Sequence, residues 1–442
     1  MKYIKIFLLT LFAASITACE EFVELEPFDQ ISNDIVLVTP DDAEALVLGA
    51  YSDGLQDADS YGELEISMTG LLSDELTHTG SFPAYSELNR NQVSTGNGNP
   101  LDYWDAMYEG LFLANFLIEN IEAVEEITPE ERDQYVGEAR WLRAIFHFNL
   151  VKYFGAVPIA NTSDLPTLEV LERSPVPQVY SFIIEDLQQA ITLLEGVEYA
   201  TAEESKSRAT EWAAKALLAR VQLYNGNLTE AGNLANDVIE NGPFELAGSY
   251  SDIFSGNSPE TIFEVYADPN DGNSLAFFFQ EDGRYEYAPS EAHIAKYEEG
   301  DLRLSVVGET SGGRPMATKY TDVQNGTDQP IVLRLSEMYL IRAEARQGTA
   351  QADSDLNLLR ERAGLAPLSG STLDDILQER AVELAFEGHR WHDLVRTGRA
   401  GDVMSAINPS TWDATDVLLP IPQNELDLNS NLTQNPGYGT SE

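Results

Sequence analysis

The chain has 442 residues, with 74 acidic against 26 basic side chains and a formal net charge of −48. A field of that sign repels polyanions, which argues against nucleic acid as a partner and disfavours uronate-rich or sulfated glycans unless calcium or a local basic pocket intervenes. One cysteine, Cys19, leaves no disulfide to be made within the chain.

The opening MKYIKIFLLTLFAASITAC carries Lys2 and Lys5, an apolar run from Ile6 to Ile16, then Thr17 and Ala18. That is the order of a secretory signal peptide over 1–18, and the run is too short to span a bilayer. Because Cys19 ends it, the pattern predicts a bacterial lipoprotein lipidated at Cys19. Residues 19–40 are acidic and aperiodic, as expected of a tether, and a single domain is expected over 41–442.

From Asp41 to Leu55, acids at the positive end and Ala43, Val47 and Ala50 behind them predict a first helix. Residues 59 to 100 lose periodicity and read as a long loop holding Tyr61, Phe82 and Tyr85; loops of that length are usually functional. Helical spacing resumes over 101–126. The string TPEE at 128–131 predicts a capping box for a helix running to Phe154, and a further helix is expected over Pro177–Leu194. Across 209–243, Ala219, Gly226, Ala231 and Pro243 fall near the small, turn and closing positions of a tetratricopeptide repeat. Pairing 41–57 with 101–124, 129–154 with 177–195, 209–225 with 228–241 and 331–348 with 353–363 gives about four such units.

Between Pro243 and Pro330 that pattern stops, leaving a loop-rich, partly β excursion at about 245–330. Within it AFFFQEDGRYEYA predicts a hairpin around Asp282 and Gly283, placing Gln280 opposite Tyr285 and Phe278 opposite Tyr287. Such an aromatic face serves either as a sugar platform or as a cover for the core. Beyond the excursion, small and apolar residues from Leu373 through Gly388 to Val395 predict one continuous helix. The segment 401–407 is expected to add a turn or two of helix, followed by an irregular tail over 408–442.

No enzyme signature is present. His389, His392 and Asp393 lie three and four apart on a packing helix and lack the adjacent Glu of a zincin, so they read as packing polar groups, as do Glu383, Glu387 and Arg390. Asp268, Asn270, Asp271 and Asn273 outline a calcium-like loop, but Asn273 and Phe279 stand where an EF-hand needs Gly and Glu. No cofactor is expected; calcium is the one open possibility, and no metal ligand set is assigned. With acids this abundant, no carboxylate pair can be singled out for glycoside hydrolysis. Trp104, Trp141, Trp212 and Trp391 sit in helical patterns and are expected in the core, whereas Trp412 lies among Pro, Ser, Thr and Asp, tucked in or offered to ligand. Sugar binding needs aromatic faces close to hydroxyl partners. Tyr61, Phe82, Tyr85, Asn89 and Arg90 meet that requirement in one loop; Gln280, Arg284, Tyr285 and Tyr287 meet it in the other, and with Trp412 they form the candidate ligand set.

The strings LSEMYLIRAEARQG, LNLLRERAGL, ERAVELAFEGHRWHDLVRTG, LLPIPQNEL and LTQNPGY, with YWDAMYEGLFLANFLIENI and ARWLRAIFHFNLVKYFGAVPI upstream, resemble the SusD-like (RagB/SusD) outer-membrane nutrient-binding lipoproteins in family order. The resemblance implies an all-α, irregular tetratricopeptide-like domain. It also implies a non-catalytic surface protein, lipid-anchored in the outer membrane, that passes oligosaccharide to a SusC-like TonB-dependent transporter during polysaccharide utilisation. The charge argument points to a neutral glycan such as a glucan or fructan. Peptide uptake by the same arrangement, or a surface glycosidase, are the alternatives. The two candidate loops are where members of the family differ, so the resemblance assigns no individual ligand residue.

Overall fold

A computed structural model describes residues 37–56, 60–254, 256 and 258–439. Cys19, the signal segment and the tether up to residue 36 lie outside the described residues.

The first helix, α1 (Pro40–Tyr51), starts on a Thr39–Asp42 capping box and runs into π-helical turns at Ser52–Gln56 and Tyr61–Glu65. The chain continues through α2 (Ile66–Leu72), strand β1 (Leu76–His78), α3 (Pro83–Asn89) and the long α4 (Gly98–Asn120). Helix α5 (Pro129–Phe154) opens on the expected capping box: the Glu131 N–H donates to Thr128 Oγ1 at 3.2 Å and the Thr128 N–H to the Glu131 carboxylate at 2.9 Å. Then follow α6 (Val176–Leu193), α7 (Glu211–Tyr224) and α8 (Leu228–Asn241). α1 packs on α4, α5 on α6 and α7 on α8, and each pair leans on the next through α4 with α5, and α6 with α7. The all-α repeat class is therefore observed, with the pairs predicted from spacing. Close approach requires small residues: a Cβ on Gly232 of α8 would sit 2.8 Å from the Ala345 Cβ of the following unit.

The excursion contains β2 (Thr261–Glu264), the short α9 (Leu275–Phe279), β3 (Tyr287–Pro289), β4 (Val307–Glu309) and β5 (Pro315–Ala317). It ends in β6 (Ile331–Arg334), where a helix was expected to begin; the helix α10 starts at Leu335 and runs to Ala345. The change has a cause, since β6 pairs antiparallel with β2 and its four residues are buried. α10 packs on α8 and on α11 (Ala350–Arg362), completing the fourth pair.

Three other expectations are corrected. Residues 60 to 100 are mostly helical, because α2 is buried on every side and so shows no amphipathic period. Its polar groups bond back to the helix, Thr69 Oγ1 donating to the Glu65 carbonyl at 2.6 Å. The predicted hairpin around Asp282 and Gly283 is absent. The phenylalanine run instead closes the helical turn α9, and β3 takes β1 as its partner, with Leu76 opposite Pro289 and His78 opposite Tyr287. The continuous helix over 373–395 is broken into α12 (Leu373–Glu383) and α13 (Arg390–Arg396), with left-handed backbone at Phe386 (φ 61°) and Gly388 (φ 79°) between them. The tail adds α14 (Ala400–Ile407) and α15 (Gln423–Leu428).

The core keeps Trp104, Trp141 and Trp391 buried, but Trp212 is only half-buried, with the Lys215 ammonium 4.3 Å from its ring centroid. Between the repeats and the excursion lies a buried ionic web. Glu383 bonds Arg334, Arg362 and Arg303, and Glu387 bonds Arg334 and Lys319. Arg390 pairs with Asp74, and His392 Nε2 lies 3.1 Å from Glu65. These residues, read from the sequence as packing groups, tie α12 and α13 to the rest of the fold. Among the described residues no helix is long and apolar enough to cross a membrane.

Candidate functional site

The β1–β3 ladder joins the two segments that looked separate in the sequence. Just past it the 78–82 turn meets residues 284–287, and the Thr79 and Gly80 N–H groups both donate to the Glu286 carbonyl, at 2.9 and 3.0 Å. Here Phe82, Tyr85 and Phe278 form the wall of a cleft of about 310 Å³, closed by Glu63, Asn99 and Ser274. Phe82 and Tyr85 stand edge to face at 5.9 Å, as do Tyr85 and Phe278, also at 5.9 Å. Phe278 lies 5.9 Å from Tyr287, so the contact expected between those two rings exists, made by a helical turn against a strand. Of the rings that line the cleft Phe82 is the most exposed, at 36 %, and Phe277, outside the lining but 5.5 Å from Phe278, adds an exposed apolar surface beside it.

The polar groups at this wall are engaged. Glu63 accepts the Tyr85 hydroxyl at 3.2 Å and the Tyr287 hydroxyl at 2.8 Å. Glu286 accepts the Phe82 N–H at 2.6 Å, His78 Nε2 lies 2.9 Å away, and Arg284 Nε donates to it at 3.0 Å. Burial pushes the Glu286 carboxyl up, yet these three partners hold it below the usual carboxylate range. Arg284, its guanidinium carbon 3.5 Å from the Phe82 ring centroid, lies across one face of that ring.

The other candidate residues lie at varied depths. Tyr61 is 2 % exposed in its π-helical turn, and Tyr287 is fully covered behind Phe278. Asn89 holds β1 in place, its Oδ1 accepting the His78 N–H at 3.1 Å, and Arg90 donates to the neighbouring Gln92 at 2.5 Å. Gln280, a candidate for the open face, is turned inward and donates to the Ala317 and Tyr320 carbonyls at 2.7 and 2.6 Å, supplying donors to two backbone acceptors of the excursion. Tyr285 is buried with its hydroxyl on the Pro315 carbonyl, and Arg314 lies over its ring at 4.4 Å. Trp412 is half-buried against Trp391, 6.2 Å between ring centroids, and does not line the cleft. Asp268 of the calcium-like loop accepts the Asn270 and Asp271 N–H groups, and among the described residues no group of three or more His, Cys, Asp or Glu is placed to hold a metal ion.

Spacing did not reveal Phe277, Glu63 or Glu286. The AFFFQ run marked the first, but the carboxylates were lost among 74 acids. Two larger clefts, of about 400 and 540 Å³, lie elsewhere. The aromatic cleft is preferred as the principal site because its lining brings together the exposed Phe82 ring of one candidate segment and the partly exposed Phe278 ring of the other.

A stack of helix pairs carrying an excursion that closes an aromatic cleft defines a binding scaffold with its site built on inserted loops. Residues 311–438 match the family described as SusD family, and residues 32–223 match one described as starch-binding associating with outer membrane. The chain is similar to SusD-like protein P2 of Formosa agariphila, 27 % identical over 515 aligned positions that cover 99 % of this chain and 100 % of that one. Among solved structures it is similar to surface glycan-binding protein A from Bacteroides fluxus, with 27 % identity, a TM-score of 0.79, and 91 % of this chain and 100 % of that chain covered. A laminarin-binding SusD-like protein shares the fold at 24 % identity and a TM-score of 0.81, over 91 % of this chain and 100 % of that chain. The chain belongs to the SusD-like (RagB/SusD) family.

Proposed function

We propose that this protein is a surface glycan-binding lipoprotein that captures oligosaccharide in the Phe82–Tyr85–Phe278 cleft without cleaving it. It would then deliver the sugar to a SusC-like TonB-dependent transporter in the outer membrane, held there through Cys19. The observation that carries the reading is the cleft wall itself: exposed aromatic edges and faces beside polar groups, the combination that binds the C–H faces and hydroxyls of sugar rings. The buried carboxylates of Glu63, in the cleft lining, and Glu286, which holds the Phe82 backbone, are each committed to protein donors. Neither is placed as a free acid or base, which supports binding over hydrolysis. The naming of the Bacteroides fluxus relative for surface glycan binding supports the same reading. With a net charge of −48 the ligand is a neutral polymer, a glucan or fructan.

Incubation with starch, laminarin, levan, xylan and alginate tests it. Retardation in gels containing a neutral polymer, with no released product, is the expected result. Released sugar would establish a glycosidase, and failure to bind any polymer would return the peptide alternative. Retention of alginate alone would overturn the neutral-glycan assignment.

A further inference from the structure

The cleft of about 400 Å³ lined by Glu203 and by residues of the excursion contains a group that the glycan reading leaves unused. Glu264, the last residue of β2, is 7 % exposed and lines this cleft, and its carboxylate has no hydrogen bond or ion pair among the described residues. Glu203 and Asp328 line the same space, with Phe254 and Ile331 as its apolar side. Asp328 spends one oxygen on the Thr321 and Asp322 N–H groups, both at 2.7 Å. The cations are otherwise engaged: Lys319, which also lines the cleft, is paired with Glu387 at 2.7 Å, and Lys206 donates to the Ser258 carbonyl at 3.0 Å.

An unpaired carboxylate at that depth is costly unless it takes a proton or a counter-charge arrives. Burial pushes the Glu264 carboxyl up to about 7, Lys206 opposing and Glu203 adding to the rise, so near neutrality it is divided between its two forms. Among the described residues these acids form no group of three or more placed to hold a metal ion. An organic cation with several N–H donors and an apolar flank matches the space and its lining.

We infer that this cleft binds a primary ammonium group on a ligand of about monosaccharide size, with Glu264 as its ion partner and Glu203 and Asp328 supplying the surrounding negative field. The site is separate from the aromatic cleft and does not depend on the glycan assignment.

The test is calorimetric titration of the purified protein at about pH 8 with 6-amino-6-deoxyglucose, and with glucose as the neutral comparison. Saturable binding of the amine without binding of glucose is expected. Glu264→Gln should weaken it roughly tenfold or more, and Glu203→Gln, at an exposed position, by a smaller factor. Phe82→Ala should leave it unchanged. Equal binding of the two sugars, or an amine affinity unaltered in both glutamine variants, would overturn the assignment. General attraction to an acidic protein predicts that second result, since one charge in a field of −48 matters little.

Discussion

The backbone N–H of Phe82 donates to the carboxylate of Glu286 at 2.6 Å, across 204 residues of sequence. This bond, with His78 and Arg284 on the same carboxylate, sets the most exposed ring of the cleft. Glu286→Ala should cost roughly 2–3 kcal/mol, the scale of charge-assisted hydrogen bonds lost in a buried place. Glycan retention should fall with it. Urea unfolding beside gel retardation checks both, and Glu286→Gln, which keeps an acceptor for Phe82, should recover part of each.

Glu383 is buried among Arg303, Arg334 and Arg362. Removing it leaves three guanidiniums short of a counter-charge, so Glu383→Ala should destabilise the protein by roughly 3–5 kcal/mol. A Glu383→Gln variant measured by the same unfolding curve should lie between, because it retains one acceptor oxygen without the charge.

Gly388 separates α12 from α13 at φ 79°, and a Cβ there would lie 2.9 Å from Glu65 Cγ. Gly388→Ala should therefore lose roughly 1–3 kcal/mol through backbone strain and displacement of Glu65. That shift would also disturb the Glu65 contacts to Lys152 and His392. Thermal unfolding of the variant checks it; a neutral effect would mean the turn adapts.

Glu75 gives a pH prediction. Its Oε1 accepts the Phe386 N–H, its Oε2 has no partner among the described residues, and burial raises its pKa to about 8 from an ordinary 4.5. The folded state thus keeps a proton that the unfolded chain releases, so the stabilising contribution is complete below the unfolded pKa and is lost as pH rises through the folded one. Compared with wild type, Glu75→Gln should gain stability on the order of 1–3 kcal/mol between about pH 5 and pH 8. Urea midpoints at the two ends of that window measure the difference; a constant offset would contradict it.

The helix pairs were legible because each carries ordinary signals: the Thr128–Glu131 capping box, a turn at Gly226, and small residues such as Ala219 and Ala231 where helices meet. The site was only half legible. Phe82, Tyr85 and Arg284 could be named from composition, but their junction depends on the pairing of β1 with β3, two three-residue strands more than two hundred positions apart. Nothing local encodes such a pairing. Burial on all sides likewise removed the periodicity of α2, and Tyr61, Gln280 and Tyr287 resembled ligand groups in the sequence although Tyr61 is buried and the Gln280 amide and Tyr287 hydroxyl bond within the core.

The most direct test of the binding role is calorimetric titration of wild type, Phe82→Ala and Phe278→Ala with oligosaccharides of the best-retained neutral polymer. Each lost ring should weaken binding by roughly tenfold, about 1.4 kcal/mol, while the unfolding curves show both variants folded. Undiminished affinity in both folded variants would place the sugar elsewhere and contradict the account.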